Sequence, residues 1–168
     1  TKIDLLINSQ WIIPVVPENR VFENCALAID GQKIIGIYPQ TEAASKFVAD
    51  SVVDLDDHIL MPGLVNAHGH AAMSLLRGYA DDQALEPWLE EHIWPAENRF
   101  LSEKFVADGT KLAMAEMIKT GTTCFADMYF FADSAAEEIR ACGMRSQIGF
   151  TVFDFPTAGG KDPDDYIH

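Results

Sequence analysis

Met61-Pro62-Gly63-Leu64-Val65-Asn66-Ala67-His68-Gly69-His70 is an apolar run, broken once by Pro-Gly, that ends in two histidines one residue apart. In an extended strand alternate side chains share a face. A strand through this run therefore projects His68 and His70 the same way, with ring nitrogens able to converge on one ion. Ile59-Leu60-Met61 leads into the break and Leu64-Val65 resumes the run, so the histidines fall where a buried strand emerges into a loop. Neutral imidazoles are good zinc ligands, and the pair makes half of a metal site. The competing interpretation of the same spacing is two histidines that cap a strand in ordinary hydrogen bonds.

Outward from this run the hydrophobic period changes. Toward the amino terminus, residues 1–57 read as short β segments: Asp4 to Asn8, Trp11 to Pro14, Cys25 to Ile29, Lys33 to Tyr38 and Ser51 to Leu55, with Asp30-Gly31 as a hairpin signal and helical character only over Thr41 to Ala49. On the other side, strand 1 is expected over Ile59 to Asn66, followed by a long loop to about Asn98. A helix from Ser102 to Lys119 comes next, stopped by Thr120-Gly121, with Phe105, Leu112, Met117 and Ile118 on its apolar face. Strand 2 spans Thr122 to Met128, a helix Ser134 to Ala141 ends at Gly143, and strand 3 runs from Arg145 to Phe153. Strand and helix in alternation is the pattern of parallel β/α units, whose chemistry sits at the carboxyl ends of the strands. His68, His70, Asp127, Met128 and Asp154 fall near such ends.

Pro62 to His70, followed by Leu75-Leu76-Arg77-Gly78, Asp81-Asp82, Pro87-Trp88-Leu89 and Trp94-Pro95-Ala96-Glu97, resembles the amidohydrolase superfamily. Within it the sequence is most similar to the 5-methylthioadenosine/S-adenosylhomocysteine deaminases, over nearly the whole chain. Gly69 departs from the Thr of many relatives; a small residue there leaves the ligands in place and removes one hydroxyl. The resemblance implies an α/β fold: the amino-terminal part of a metal-dependent (β/α)8 TIM barrel, preceded by a small β-sandwich segment. Residues 1–57 are the sandwich segment and residues 58–168 the first three β/α units. A complete barrel needs about 250 residues, so the barrel is expected to be incomplete here.

The function implied is hydrolytic deamination of an adenine nucleoside with release of ammonia. Zn2+, one divalent ion per site, is the expected cofactor, held by His68 and His70. A further His and Asp, together with the acid/base Glu, are expected beyond His168. Glu97 matches the family's substrate-binding Glu, and an ionised carboxylate offers two acceptor oxygens to two ribose hydroxyls. The loop that carries Trp88, Trp94 and Glu97 reads either as a lid over the substrate or as a short helix packed on the barrel mouth. Asp127 reads as structural support, Arg77 as an anchor for the loop, and His92 as a solvent-facing loop residue. Other amidohydrolases, acting on guanine, a triazine or a cyclic amide, share the histidine pair. A non-catalytic binding or assembly piece is the third alternative.

Composition narrows the partners. Twelve basic against twenty-six acidic side chains give a formal charge of −14, a field that repels phosphate backbones and argues against nucleic acid. A hydrophobic fraction of 48% supplies a core, yet no apolar run approaches the ~20 residues of a membrane span. Cys25, Cys124 and Cys142, odd in number and far apart, suit reduced thiols in a cytoplasm. The expected partners are a small nucleoside, the remainder of the barrel and further copies of the chain in a homo-oligomer.

Overall fold

The computed structural model describes residues 1–167, which divide into two compact units, one spanning Thr1–Pro62 and the other starting at Gly63. In the first unit β1 (Lys2–Ile12), β2 (Phe22–Asp30), β3 (Lys33–Pro39) and β4 (Val48–Leu60) form one sheet in the order β3-β2-β1-β4, with α1 (Gln40–Lys46) between β3 and β4. The β1–β2 and β2–β3 pairs are antiparallel, whereas β1 and β4 run parallel. Ala43 of α1 is fully buried and, with Phe47, joins Ile3, Leu6, Ala26 and Ala28 in a small core on one face of the sheet.

Three expectations change here. The segments at Asp4 to Asn8 and Trp11 to Pro14 are one continuous strand, because Ser9-Gln10 contains neither glycine nor proline and absorbs an irregularity in the β1–β4 ladder instead of turning. The Ser9 hydroxyl lies 3.0 Å from the Trp11 carbonyl and 3.1 Å from that of His58, so its proton serves the disturbed ladder. Ladder pairing also carries β4 through His58 to Leu60, which moves the boundary from residue 57 to Pro62. Among the described residues the unit is a single sheet with a helix over one face, and no second sheet completes a sandwich.

The second unit contains three parallel strands, β5 (Leu64–Asn66), β6 (Thr122–Tyr129) and β7 (Arg145–Phe150), in the order β5-β6-β7. Strand 1 is therefore shorter than expected, since Ile59 and Leu60 belong to β4. The long segment after β5 is helical: a 3-10 turn Ala71–Leu76, then α2 (Leu85–Pro87), a π-helical turn Trp88–Ile93 and α3 (Trp94–Phe100). α4 (Glu103–Lys119) starts where expected, the Ser102 hydroxyl accepting the Phe105 amide at 3.1 Å. α5 (Ala132–Cys142) ends on Gly143 in the left-handed region (φ 75°), and α6 (Pro163–Ile167) follows β7.

The buried stripe of α4 differs from the expected one. Val106, Gly109, Thr110, Ala113 and Met114 are inside, at the i, i+3, i+4, i+7, i+8 spacing of one helix face, while Leu112 and Ile118 are exposed. That stripe packs on Ala71 and Ala72 of the 3-10 turn and on Phe125 of β6. Contact is close: a Cβ on Gly109 would stand 2.5 Å from the Ala72 carbonyl oxygen, so only glycine lets the helix backbone approach the turn that follows His70.

Candidate active site

The site begins where β5 ends. The histidines lie just past the strand, in the loop that follows Asn66, and are not part of it. The Asn66 side-chain oxygen accepts the His68 amide at 3.2 Å and turns the chain out of the sheet. Gly69 then passes close to β6: its carbonyl accepts the Met128 amide at 3.2 Å, and a Cβ there would meet Asn66 at 3.3 Å and the Ala126 carbonyl at 3.5 Å. These bonds carry both imidazoles to neighbouring positions, with ring centroids 5.0 Å apart and planes at 83°.

His70 is held in one tautomer. Its Nδ1 stands 2.6 Å from the Met128 carbonyl oxygen, which can only accept, so Nδ1 carries a proton and, in the neutral ring, Nε2 is the nitrogen with the lone pair. A backbone carbonyl on the distal nitrogen is the usual orienting device of a metal-binding histidine. The next amide, Ala71, donates to the Asp127 carboxylate at 2.7 Å. Asp127 is 4% exposed, and burial raises its carboxyl above the ordinary range, against the opposing effects of the Ala71 and Met128 amides and the charge of His70. It thus pins the chain immediately after His70. As a donor set, two imidazoles with one tautomer fixed fit half of a tetrahedral zinc shell. Among the described residues no group of three or more His, Cys, Asp or Glu could hold an ion.

Glu97 of α3 is buried (7% exposed), and its Oε1 accepts the Tyr129 hydroxyl at 2.6 Å. Burial raises the Glu97 carboxyl, while the Tyr129 hydrogen bond and the charge of His70 pull it back. Burial and the Glu97 carboxylate push the Tyr129 phenol upward, which keeps it a donor. The Tyr129 ring also lies 6.1 Å from that of His70. One side chain of β6 therefore connects the histidine pair with the carboxylate of α3. Sequence reasoning did not single out Tyr129, although the aromatic triplet Tyr129-Phe130-Phe131 at a strand end was a usable signal.

The remaining candidates separate. Arg77 makes two bonds to Glu116 of α4, Nη1 at 2.8 Å and Nη2 at 2.6 Å, and so anchors the segment after the 3-10 turn. His92 is half-buried in the π-helical turn instead of facing solvent from a loop. Asp154 is exposed in the coil beyond β7.

Parallel strands joined by helices, with a histidine pair and the buried Asp127 near their carboxyl ends, are the arrangement in which β/α proteins place their sites. The Amidohydrolase family profile matches residues 59–167, and the chain belongs to that family. It is 53% identical over 168 residues to the 5-methylthioadenosine/S-adenosylhomocysteine deaminase of Saccharophagus degradans, covering 100% of this chain and 38% of that protein. To the 5'-deoxyadenosine deaminase of Methanococcoides burtonii it is 40% identical over 151 residues, 90% of this chain and 34% of that protein. A solved structure of an adenosine deaminase from Xanthomonas campestris with bound zinc superimposes with a TM-score of 0.96 at 44% identity, covering 99% of this chain and 38% of that one. The chain thus spans less than two fifths of the length of the relatives it matches.

Proposed function

We propose that the protein is a zinc-dependent hydrolytic deaminase of adenine nucleosides such as 5-methylthioadenosine or S-adenosylhomocysteine. In this reading β5, β6 and β7 are the first three strands of a (β/α)8 barrel, and the sheet of residues 1–62 is one layer of a sandwich. The observation that carries the proposal is the arrangement around β6: Met128 fixes the tautomer of His70, while the next residue, Tyr129, holds Glu97. Relatives that deaminate adenine nucleosides, at 40 and 53% identity, favour this reading over other amidohydrolase reactions.

His68 and His70 would hold the zinc, which supplies Lewis acidity and makes hydroxide available near neutral pH. In the reaction water adds at C6 of the purine, the C6–N bond breaks and the amino group leaves as ammonia. The chain's own residues bind and orient. Asp127 and the Met128 carbonyl keep His70 in place, and Glu97 accepts from the 2' and 3' hydroxyls of the ribose, with Tyr129 fixing the direction of its carboxylate. The further metal ligands and the acid/base Glu are assigned to parts of the protein outside residues 1–168. Three unpaired cysteines support a reducing, cytoplasmic setting. No helix among the described residues is long and apolar enough to cross a membrane. A homo-oligomeric state belongs to the same proposal.

The test is ammonia release from 5-methylthioadenosine by the intact protein, together with zinc content by mass spectrometry. Stoichiometric zinc with release of ammonia is the expected result. Protein that binds zinc and releases no ammonia from any adenine nucleoside would overturn the reading.

A further inference from the structure

Tyr129 and Glu97 meet from two elements of unequal rigidity. Tyr129 closes β6, the central strand of its sheet, where it pairs with Phe150 of β7, and its ring stands edge-on to Phe130 at a centroid distance of 5.3 Å. With 6% exposure its hydroxyl has one place to be. Glu97 reaches the same point from the seven-residue α3 through a longer side chain, whose last torsion is soft because rotation about a bond to a carboxylate lacks sharp staggered wells. The strand residue therefore orients the helix residue. Its 2.6 Å bond to Oε1 fixes the plane in which both Glu97 oxygens lie. Burial works against the charge of that carboxylate and the Tyr129 proton works for it, so the bond also favours a group that accepts.

We propose that Tyr129 is a specificity-determining residue: by orienting the Glu97 carboxylate it gives the site its preference for a sugar that bears both a 2' and a 3' hydroxyl. The inference rests on the reading of Glu97 as the ribose-binding carboxylate. Two vicinal hydroxyls match two carboxylate oxygens only when both oxygens face them at once, and a carboxylate free to turn engages one hydroxyl at a time. An ionised carboxylate has about four acceptor positions. Tyr129 fills one on Oε1, which leaves each oxygen able to accept from the sugar. In this arrangement Tyr129 touches no substrate and acts through Glu97, as a positioning residue.

Inosine and its deoxy forms lack the 6-amino group, so calorimetry on the zinc-loaded intact protein reads sugar recognition without turnover. Wild-type protein is expected to bind inosine about 10- to 100-fold more tightly than 2',3'-dideoxyinosine, and about three- to tenfold more tightly than either 2'-deoxyinosine or 3'-deoxyinosine. A turning carboxylate re-aims at whichever hydroxyl remains, so a monodeoxy ligand that binds as well as inosine overturns the proposal without any variant. Tyr129→Phe keeps the ring and removes one oxygen. It is expected to shrink the preference for inosine over dideoxyinosine about three- to tenfold, with dideoxyinosine affinity and zinc content at wild-type values and folding verified by thermal melts. Glu97→Gln is expected to lose the preference, and Tyr129→Phe added to it to take away nothing more, because the hydroxyl acts through the carboxylate. Equal loss for inosine and dideoxyinosine in folded Tyr129→Phe overturns the assignment, as does an unchanged preference. If Glu97→Gln loses the preference and Tyr129→Phe keeps it, the reading of Glu97 stands and only the role of Tyr129 falls; a preference kept in Glu97→Gln overturns both. Ammonia release from 5-methylthioadenosine is assayed separately, so a Tyr129-dependent preference without release upholds this inference and refutes the deaminase reading.

Discussion

The two units bury different kinds of side chain. Up to Pro62 the interior is Ile3, Leu6, Ile12, Cys25, Ala26, Ala28, Ala43 and Phe47, and the one buried polar residue, Ser9, mends a ladder. From Gly63 onward two carboxylates, Glu97 and Asp127, are buried, Glu97 accepting from the Tyr129 hydroxyl and Asp127 from the Ala71 amide. A buried carboxylate is unfavourable unless its oxygens are partnered, and a sheet that only has to be stable does without one. Concentration of such groups around one histidine pair is what the proposed function expects of the second unit.

The comparison is broken most directly at the histidines. His68→Ala and His70→Ala are each expected to abolish deamination and to weaken zinc binding by more than the 10- to 100-fold that loss of an outer-shell partner brings. Full zinc occupancy in the double variant would mean that the pair is structural and that the two units do not differ in the way argued. Next in size is Glu97→Gln, which keeps volume but replaces an acceptor oxygen with a donor nitrogen. Loss of a charge-assisted hydrogen bond, worth about 1.5 to 3 kcal/mol, lowers kcat/KM for a nucleoside roughly 10- to 150-fold. Zinc content is expected to hold. The same loss on a substrate without ribose would show that Glu97 acts on the lid or the chemistry and does not read the sugar.

What could be read from the sequence follows from how local each signal is. The histidine pair, the Ser102 cap and the Gly143 stop are written within a few residues, and all three stand where expected, the histidines just beyond the strand that ends at Asn66. Glu97 was identifiable only through the Trp94-Pro95-Ala96-Glu97 resemblance, because an acid in an acidic segment has no distinguishing pattern of its own. For Tyr129 the aromatic triplet marks a strand end but not a role, which is set by a partner 32 residues earlier in the chain. The helical nature of the segment between Ala71 and Phe100 is legible only in part, as the short-helix alternative for the stretch carrying Trp88, Trp94 and Glu97. Its 3-10 turn, α2, π-helical turn and α3 are three to seven residues long and none has a side-chain cap, so Pro95 at the start of α3 is the main local signal. The β1 fusion is not legible in the sequence because an irregular ladder position and a turn look alike until the neighbouring strand is known.

A smaller effect sharpens the comparison at the turn behind His70. Gly109→Ala gains helix propensity, but the new Cβ meets the Ala72 backbone at 2.5 Å, and backbone cannot swing aside as a side chain can. Overpacking of this kind costs about 1 to 3 kcal/mol, more than the ~1 kcal/mol that Ala gains over Gly in a helix. The variant is expected to unfold at lower urea and, because the displaced turn starts at Ala71, to bind zinc more weakly as well. A stabilised variant with native zinc affinity would show that the close crossing does not position His70.

The smallest effect belongs to the first unit and tests its independence. Ser9→Ala removes the hydroxyl that serves the Trp11 and His58 carbonyls, at a position only 1% exposed, and leaves those acceptors to the ladder alone. A hydrogen bond of this type contributes about 0.5 to 1.5 kcal/mol, and the small methyl that remains makes no clash, so the loss should lie in that range and show as a shift of the urea midpoint at unchanged m-value. Zinc affinity and kcat/KM are expected to stay at wild-type values, because no group of the site lies in residues 1–62. Impaired zinc binding in folded Ser9→Ala would mean that the sheet unit also positions the histidines, and the division between a unit that is merely stable and a unit that does chemistry would have to be given up.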